Sequence, residues 1–135
     1  MAIQKILIVD DSPTERFYLT DILARTGYAV STAVNGGEAI DKIRAERPQL
    51  ILMDVVMPGA NGFQVTRSIA RDPELSSIPV IICSSKNQET DRIWGMRQGA
   101  REYLVKPVDP ALLLGAIAAL DGKEAAAAGA PAVLA

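Results

Sequence analysis

Residues 5–15, KILIVDDSPTE, carry the reading that decides the fold. From Lys5 to Val9 the run is apolar and rich in branched side chains, with no polar alternation, as in a strand covered on both faces. Asp10 and Asp11 end it. Ser12, Pro13 and Glu15 then spell a helix start, with Ser12 and Glu15 spaced for a capping box and Pro13 at the first helical position. Leu19, Ile22, Leu23 and Thr26 follow at helical spacing, and Gly27 is the stop. The same grammar recurs along the chain. Strands are expected over 29–34, 50–53, 79–83 and 102–105, and helices over 37–47, 62–71, 88–99 and 110–120. Five strand–helix units with short connections predict an α/β fold, a doubly wound five-stranded parallel sheet with helices on both faces.

The bulk composition narrows the function. A chain of 135 residues suits one domain, placed at residues 1–120. Residues 121–135, DGKEAAAAGAPAVLA, read as an Ala-rich, frayed and disordered tail, because Gly122, Gly129 and Pro131 interrupt an otherwise helix-prone stretch. A net charge of -2 argues against a nucleic-acid or anionic-membrane partner. No apolar run reaches the length of a membrane span, and MAIQKILIVDD lacks the form of a signal peptide. A single cysteine, Cys83, excludes an internal disulfide; inside the run PVIIC it reads as a small core residue, and the expected setting is the cytoplasm. There is no histidine. Phosphohistidine, a Ser–His triad and a His-based zinc site are therefore excluded, and any histidine in a phosphoryl transfer must belong to a partner.

Functional groups in an open parallel sheet gather at the carboxyl ends of the strands. Those ends carry Asp10 and Asp11, then Asp54, then Ser84 and Ser85, then Lys106. Converging carboxylates repel, and the usual remedy is a hard divalent cation; Mg2+ prefers oxygen ligands and keeps waters for a phosphate. A carboxylate beside such a cation and a fixed ammonium is a competent nucleophile toward phosphorus.

The segments IVDDS, LILMDVVMPGANG, PVIICSS and YLVKPVD resemble the four signature blocks of response-regulator receiver domains, in order and over about residues 4–120. The resemblance implies the flavodoxin-like strand order 2-1-3-4-5. It implies that Asp54 accepts a phosphoryl group from a histidine kinase, and that Asp11, Asp54 and the backbone carbonyl of Val56 bind Mg2+, with Asp10 acting through water. It implies that Lys106 contacts the phosphoryl group across a cis Lys106–Pro107 bond, that Ser84 is the switch hydroxyl, and that Tyr103 is the aromatic that moves with it. Pro58 and Gly62 would shape the loop after the acceptor. The output would be a downstream protein bound by the face of the fourth helix, fifth strand and fifth helix, from a monomer that does not turn over a small substrate. DDSPTE, NGFQVTR and KNQETDRIWGMRQGAREYL are most similar to stand-alone chemosensory regulators of the twitching-motility type.

Two other classes fit less well. A Mg2+-dependent phosphatase on a related sheet usually places a second acid two residues after its nucleophile, where this chain has Val56. A nucleotide or flavin carrier needs a Gly-rich phosphate loop after the first strand, where this chain has two acids. On the fourth helix, Trp94 reads either as packing or as a partner contact, Arg92 and Met96 read as surface residues, and Gly95 is expected to weaken the helix.

Overall fold

A computed structural model describes residues 2–127. Five strands and five helices alternate: β1 (Lys5–Val9), α1 (Pro13–Arg25), β2 (Ala29–Ala33), α2 (Gly36–Glu46), β3 (Leu50–Met53), α3 (Gly62–Arg71), β4 (Val80–Ser84), α4 (Glu89–Arg97), β5 (Glu102–Val105) and α5 (Pro110–Ala127). All pairings are parallel and the strand order is β2-β1-β3-β4-β5, as expected.

The uninterrupted apolar strands exist because both faces of the sheet are covered. Along β1, Leu7 and Val9 enter one core with Ile43 of α2 and Phe63, Val65 and Ile69 of α3. Ile6 and Ile8 enter the other, with Leu19 and Leu23 of α1 and Leu113 and Ile117 of α5. The period of two in a strand sends neighbouring residues to opposite layers, so every residue of LILM in β3 is buried. Cys83 is part of the second core, and burial pushes its thiol up to about 12, so it stays a neutral packing group.

Three local expectations need correction or addition. The capping box of α1 forms by half: Ser12 Oγ accepts from the Glu15 N–H, but the Ser12 N–H donates to Asp10 Oδ1 at 2.9 Å rather than to Glu15. The nearer carboxylate takes the donor, and one Glu15 oxygen is left buried without a hydrogen-bond partner among the described residues. Gly95 has a packing role that its helix propensity leaves out. It is buried, and a Cβ there would lie 3.0 Å from Ile82 Cδ1 and from Tyr103 Cδ2, so the missing side chain lets the helix close onto β4 and β5. Finally, the fifth helix, expected to end at residue 120, continues to Ala127 because its alanines propagate it past Gly122. Residues 128–135 of the expected tail lie outside the described residues.

That continuation ties the chain ends together: Asp121 Oδ1 accepts a hydrogen bond from the Ile3 N–H at 2.6 Å. Replacing Asp121 with Ala should lower the unfolding free energy by about 1 kcal/mol, with an unchanged denaturant slope, by equilibrium urea melts.

Candidate functional site

Parallel pairing in register brings the strand ends to one rim. Val9 pairs with Met53, and Ser84 with Val105, so the residues after β1, β3 and β5 emerge side by side. Asp10, Asp11 and Asp54 each offer a carboxylate oxygen within 4.8 Å of the others. Lys106 Nζ donates to Asp10 Oδ2 at 2.8 Å and to Asp54 Oδ1 at 3.0 Å. The Lys106–Pro107 peptide is cis. Asp10 and Asp54 are buried, and Asp11 is exposed at the mouth of the cluster.

The structure therefore brings together the three acids and the lysine singled out in the sequence. Ser84 joins them with one difference: it is the last residue of β4 rather than the first of the loop, and it is fully buried. Its hydroxyl oxygen accepts from the Lys86 N–H at 3.1 Å. Tyr103 is turned inward, 3% exposed, with its hydroxyl donating to the Lys86 carbonyl at 2.8 Å. The Lys86 backbone thus bridges the Ser84 hydroxyl, which it reaches through its N–H, and the Tyr103 hydroxyl, from which it accepts through its carbonyl. Val56 lies exposed, two residues past Asp54. Gly62 sits against the acceptor segment so closely that a Cβ would fall 1.9 Å from the Asp54 carbonyl oxygen, which excludes every other residue there.

The electrostatics of the rim are unbalanced. Two like charges about 4 Å apart repel by roughly 4 kcal/mol at the effective dielectric of a protein surface, before relaxation. Three carboxyl groups face one ammonium. Burial pulls the Lys106 amine down, but its hydrogen bonds to Asp10 and Asp54 outweigh this and the net shift is upward, so Lys106 stays charged. Asp54 responds differently: burial pushes its carboxyl up, Asp10 adds to the rise, and the bond to Lys106 only partly opposes it. An all-oxygen donor set with surplus negative charge is chemically suited to a hard divalent cation.

Sequence reasoning missed Arg16, whose guanidinium donates to the Asp10 backbone carbonyl at 2.9 Å and braces the β1–α1 turn. A cation in the first turn of a helix opposes the helix dipole, and that anomaly was the available signal. Lys86 left no signal, because its backbone makes the contacts and any residue could supply it.

A doubly wound sheet of this order, with acids, an ammonium and a hydroxyl converging on its carboxyl rim, defines the class of phosphoryl-accepting signalling switches. Residues 6–118 match the response regulator receiver domain family, and the chain belongs to it. It is 56% identical over 116 residues to the protein PilH of Pseudomonas aeruginosa, covering 86% of this chain and 96% of that one. It is 37% identical to the response regulator PleD of Caulobacter vibrioides, again over 86% of this chain but only 26% of the larger protein. Among solved structures, the chemotaxis protein CheY4 of Vibrio cholerae superposes with a TM-score of 0.80 at 31% identity, covering 87% of this chain and 98% of that one. The receiver domain of a signal transduction histidine kinase from Syntrophus aciditrophicus gives 0.83 at 32% identity, covering 98% of both chains.

The raised Asp54 carboxyl has a measurable consequence. The native state holds this proton more tightly than the unfolded chain, so its contribution to stability is most favourable at low pH. It is lost as pH rises from about 4, the ordinary carboxylate value, through the native pKa. In metal-free buffer, Asp54→Asn should raise stability at neutral pH by about 1 kcal/mol and remove that part of the pH slope. Millimolar Mg2+ should stabilise the parent, and the two gains should not add, because both relieve one repulsion. Urea melts of both proteins across pH, with and without Mg2+, check this.

Proposed function

We propose that this receiver domain is a cytoplasmic switch of a chemosensory phosphorelay, phosphorylated on Asp54 by a histidine kinase and acting in twitching or another motility. The observation that carries the reading is the bonding of Lys106 to Asp10 and Asp54 within a cluster of three carboxylates. The likeness to PilH supports the motility assignment.

Asp54 is the nucleophile. One of its carboxylate oxygens bonds to phosphorus as the phosphorus–nitrogen bond to the partner's histidine breaks, and the electron pair stays on that nitrogen of a ring already protonated on its other nitrogen, so a neutral imidazole leaves. Lys106 stays protonated beside Asp54 Oδ1, so its charge is fixed where negative charge builds up. Asp11, Asp54 and the Val56 carbonyl would hold Mg2+, with Asp10 acting through water. The metal supplies positive charge for the phosphoryl oxygens. The Ser84 hydroxyl, whose oxygen accepts from the Lys86 N–H and which also bonds to the Tyr103 side chain, turns from these partners to donate to a phosphoryl oxygen. Turning that hydroxyl toward a phosphoryl oxygen weakens its hold on the Lys86 peptide, which also anchors Tyr103. The altered surface is that of α4, β5 and α5, where Ile93, Val105 and Leu112 are exposed apolar side chains suited to a downstream protein. The domain works as a monomer and does not turn over a small substrate; the residue two past the nucleophile, Val56, supplies no second acid.

Incubation with Mg2+ and a small phosphodonor should add one base-labile phosphoryl group, and Asp54→Asn should abolish it. Mass spectrometry of the intact chain reads this directly; full labelling of the variant would refute the acceptor. Ser84→Ala should still be phosphorylated, but amide-exchange changes around Tyr103 and α4 on phosphorylation should shrink at least severalfold. Unchanged responses would remove Ser84 from the switch.

A further inference from the structure

The ends of α3 and α4 form a groove that the phosphoryl chemistry does not use. It has a volume of about 330 Å3 and is lined by Arg67, Ala70 and Arg71 on one wall and by Trp94, Arg97, Gln98 and Gly99 on the other. Arg71 and Arg97 lie in the last turns of their helices. Helices of a doubly wound sheet run opposite to its strands, so the groove lies at the amino edge, away from Asp54. Its floor is tight, since a Cβ on Gly99 would come 2.7 Å from Ala70 Cβ.

Helix dipoles explain part of this pattern, because cations are favoured in the last turn. They do not explain the rest. Arg67 stands one turn earlier, and among the described residues none of Arg67, Arg71 and Arg97 makes an ion pair. The neighbouring acid, Asp72, is taken by Arg44 at 2.7 Å. Trp94 is the sole tryptophan and is 48% exposed, although an indole ordinarily gains by burial. Gln98 is 7% exposed and stands in the wall of the groove.

We propose that this groove binds an acidic peptide segment of a partner protein. The three guanidiniums take carboxylates, which Arg binds in planar, two-pronged fashion. Arg67 and Arg71, four positions apart on α3, are separated by about 6 Å along the helix axis, the spacing of two acids one turn apart on a partner helix. The Gln98 amide pairs with the partner's polar groups, and an apolar side chain of the segment packs on Trp94. Trp and Arg are the side chains that most often dominate binding energy at protein interfaces. The open form of the groove favours a segment lying along it over a small anion, which would need closer enclosure. The overall charge of -2 disfavours a nucleic-acid strand. This surface shares α4 with the proposed switch face but uses the C-terminal end of that helix together with α3, and its occupancy needs no phosphoryl group.

Trp94 emission is its own reporter. The full chain, without phosphodonor, is titrated with a synthetic helical peptide carrying Glu pairs four positions apart around a Leu. Parallel titrations use the same peptide with Gln for Glu, and sodium pyrophosphate. The expected result is a saturable, salt-sensitive change with the acidic peptide alone. It should weaken by about tenfold or more in the Arg67→Glu, Arg71→Glu double variant. The milder Arg67→Gln, Arg71→Gln pair should weaken it to a lesser degree, and because both sites are exposed, unchanged urea midpoints will show that folding is intact. No saturable change, equal binding of the Gln peptide, or equal affinity in folded arginine variants would overturn the proposal. A matching response to pyrophosphate would mark a small-anion site, and a change that tracks protein concentration without peptide would mark a second copy; either overturns it.

Discussion

Lys106 holds the rim together, with its ammonium 2.8 Å from Asp10 and 3.0 Å from Asp54. These carboxylates arrive from β1 and β3, and the lysine from β5, two strands away from β3 across the sheet. One positive charge cannot neutralise three acids, so the rim keeps a surplus of negative charge of the kind a divalent cation relieves. This imbalance is tolerable because the rest of the chain is ordinary and well packed. Two apolar layers cover the sheet, and their burial is insensitive to what happens at its carboxyl edge.

The edge of the sheet beyond β4 is built differently from its centre. Residues of β1, β3 and β4 are almost all buried, whereas β5 alternates, with Tyr103 inside and Val105 exposed. There α4 closes onto the sheet through Gly95, against Ile82 and Tyr103. The Lys86 peptide then links Ser84 to Tyr103 on the same side. A change in the Ser84 hydroxyl therefore has a short, packed route to the surface of α4 and β5.

Much of the site was legible because its chemistry is carried by rare residue types at strand ends. Asp10, Asp11, Asp54 and Lys106 stood out because charged side chains directly follow apolar runs, where only the carboxyl rim can host them. Arg16, Glu15 and Lys86 were harder. Arg16 drew no reading, Glu15 was expected to close a capping box, and the competition that gives the Ser12 N–H to Asp10 depends on where the turn places each carboxylate. Gly95 was read by helix propensity alone, which registers the lost side chain but not the sheet that needs its space. The continuation of α5 through Gly122 was missed because one glycine weighs less than the alanines around it once the helix is docked.

The sequence by itself determined the element order, the buried strands and the residue types available for chemistry, because periodicity and strand-end charges are local properties of the chain. Only the tertiary structure decided which groups meet. The register of β1 with β3 and of β4 with β5 brings Lys106 to Asp10 and Asp54, and the packing of α4 on β5 turns Tyr103 inward onto Lys86. Those contacts join residues far apart in the chain, and such distances are set by the packing of whole layers rather than by any local pattern.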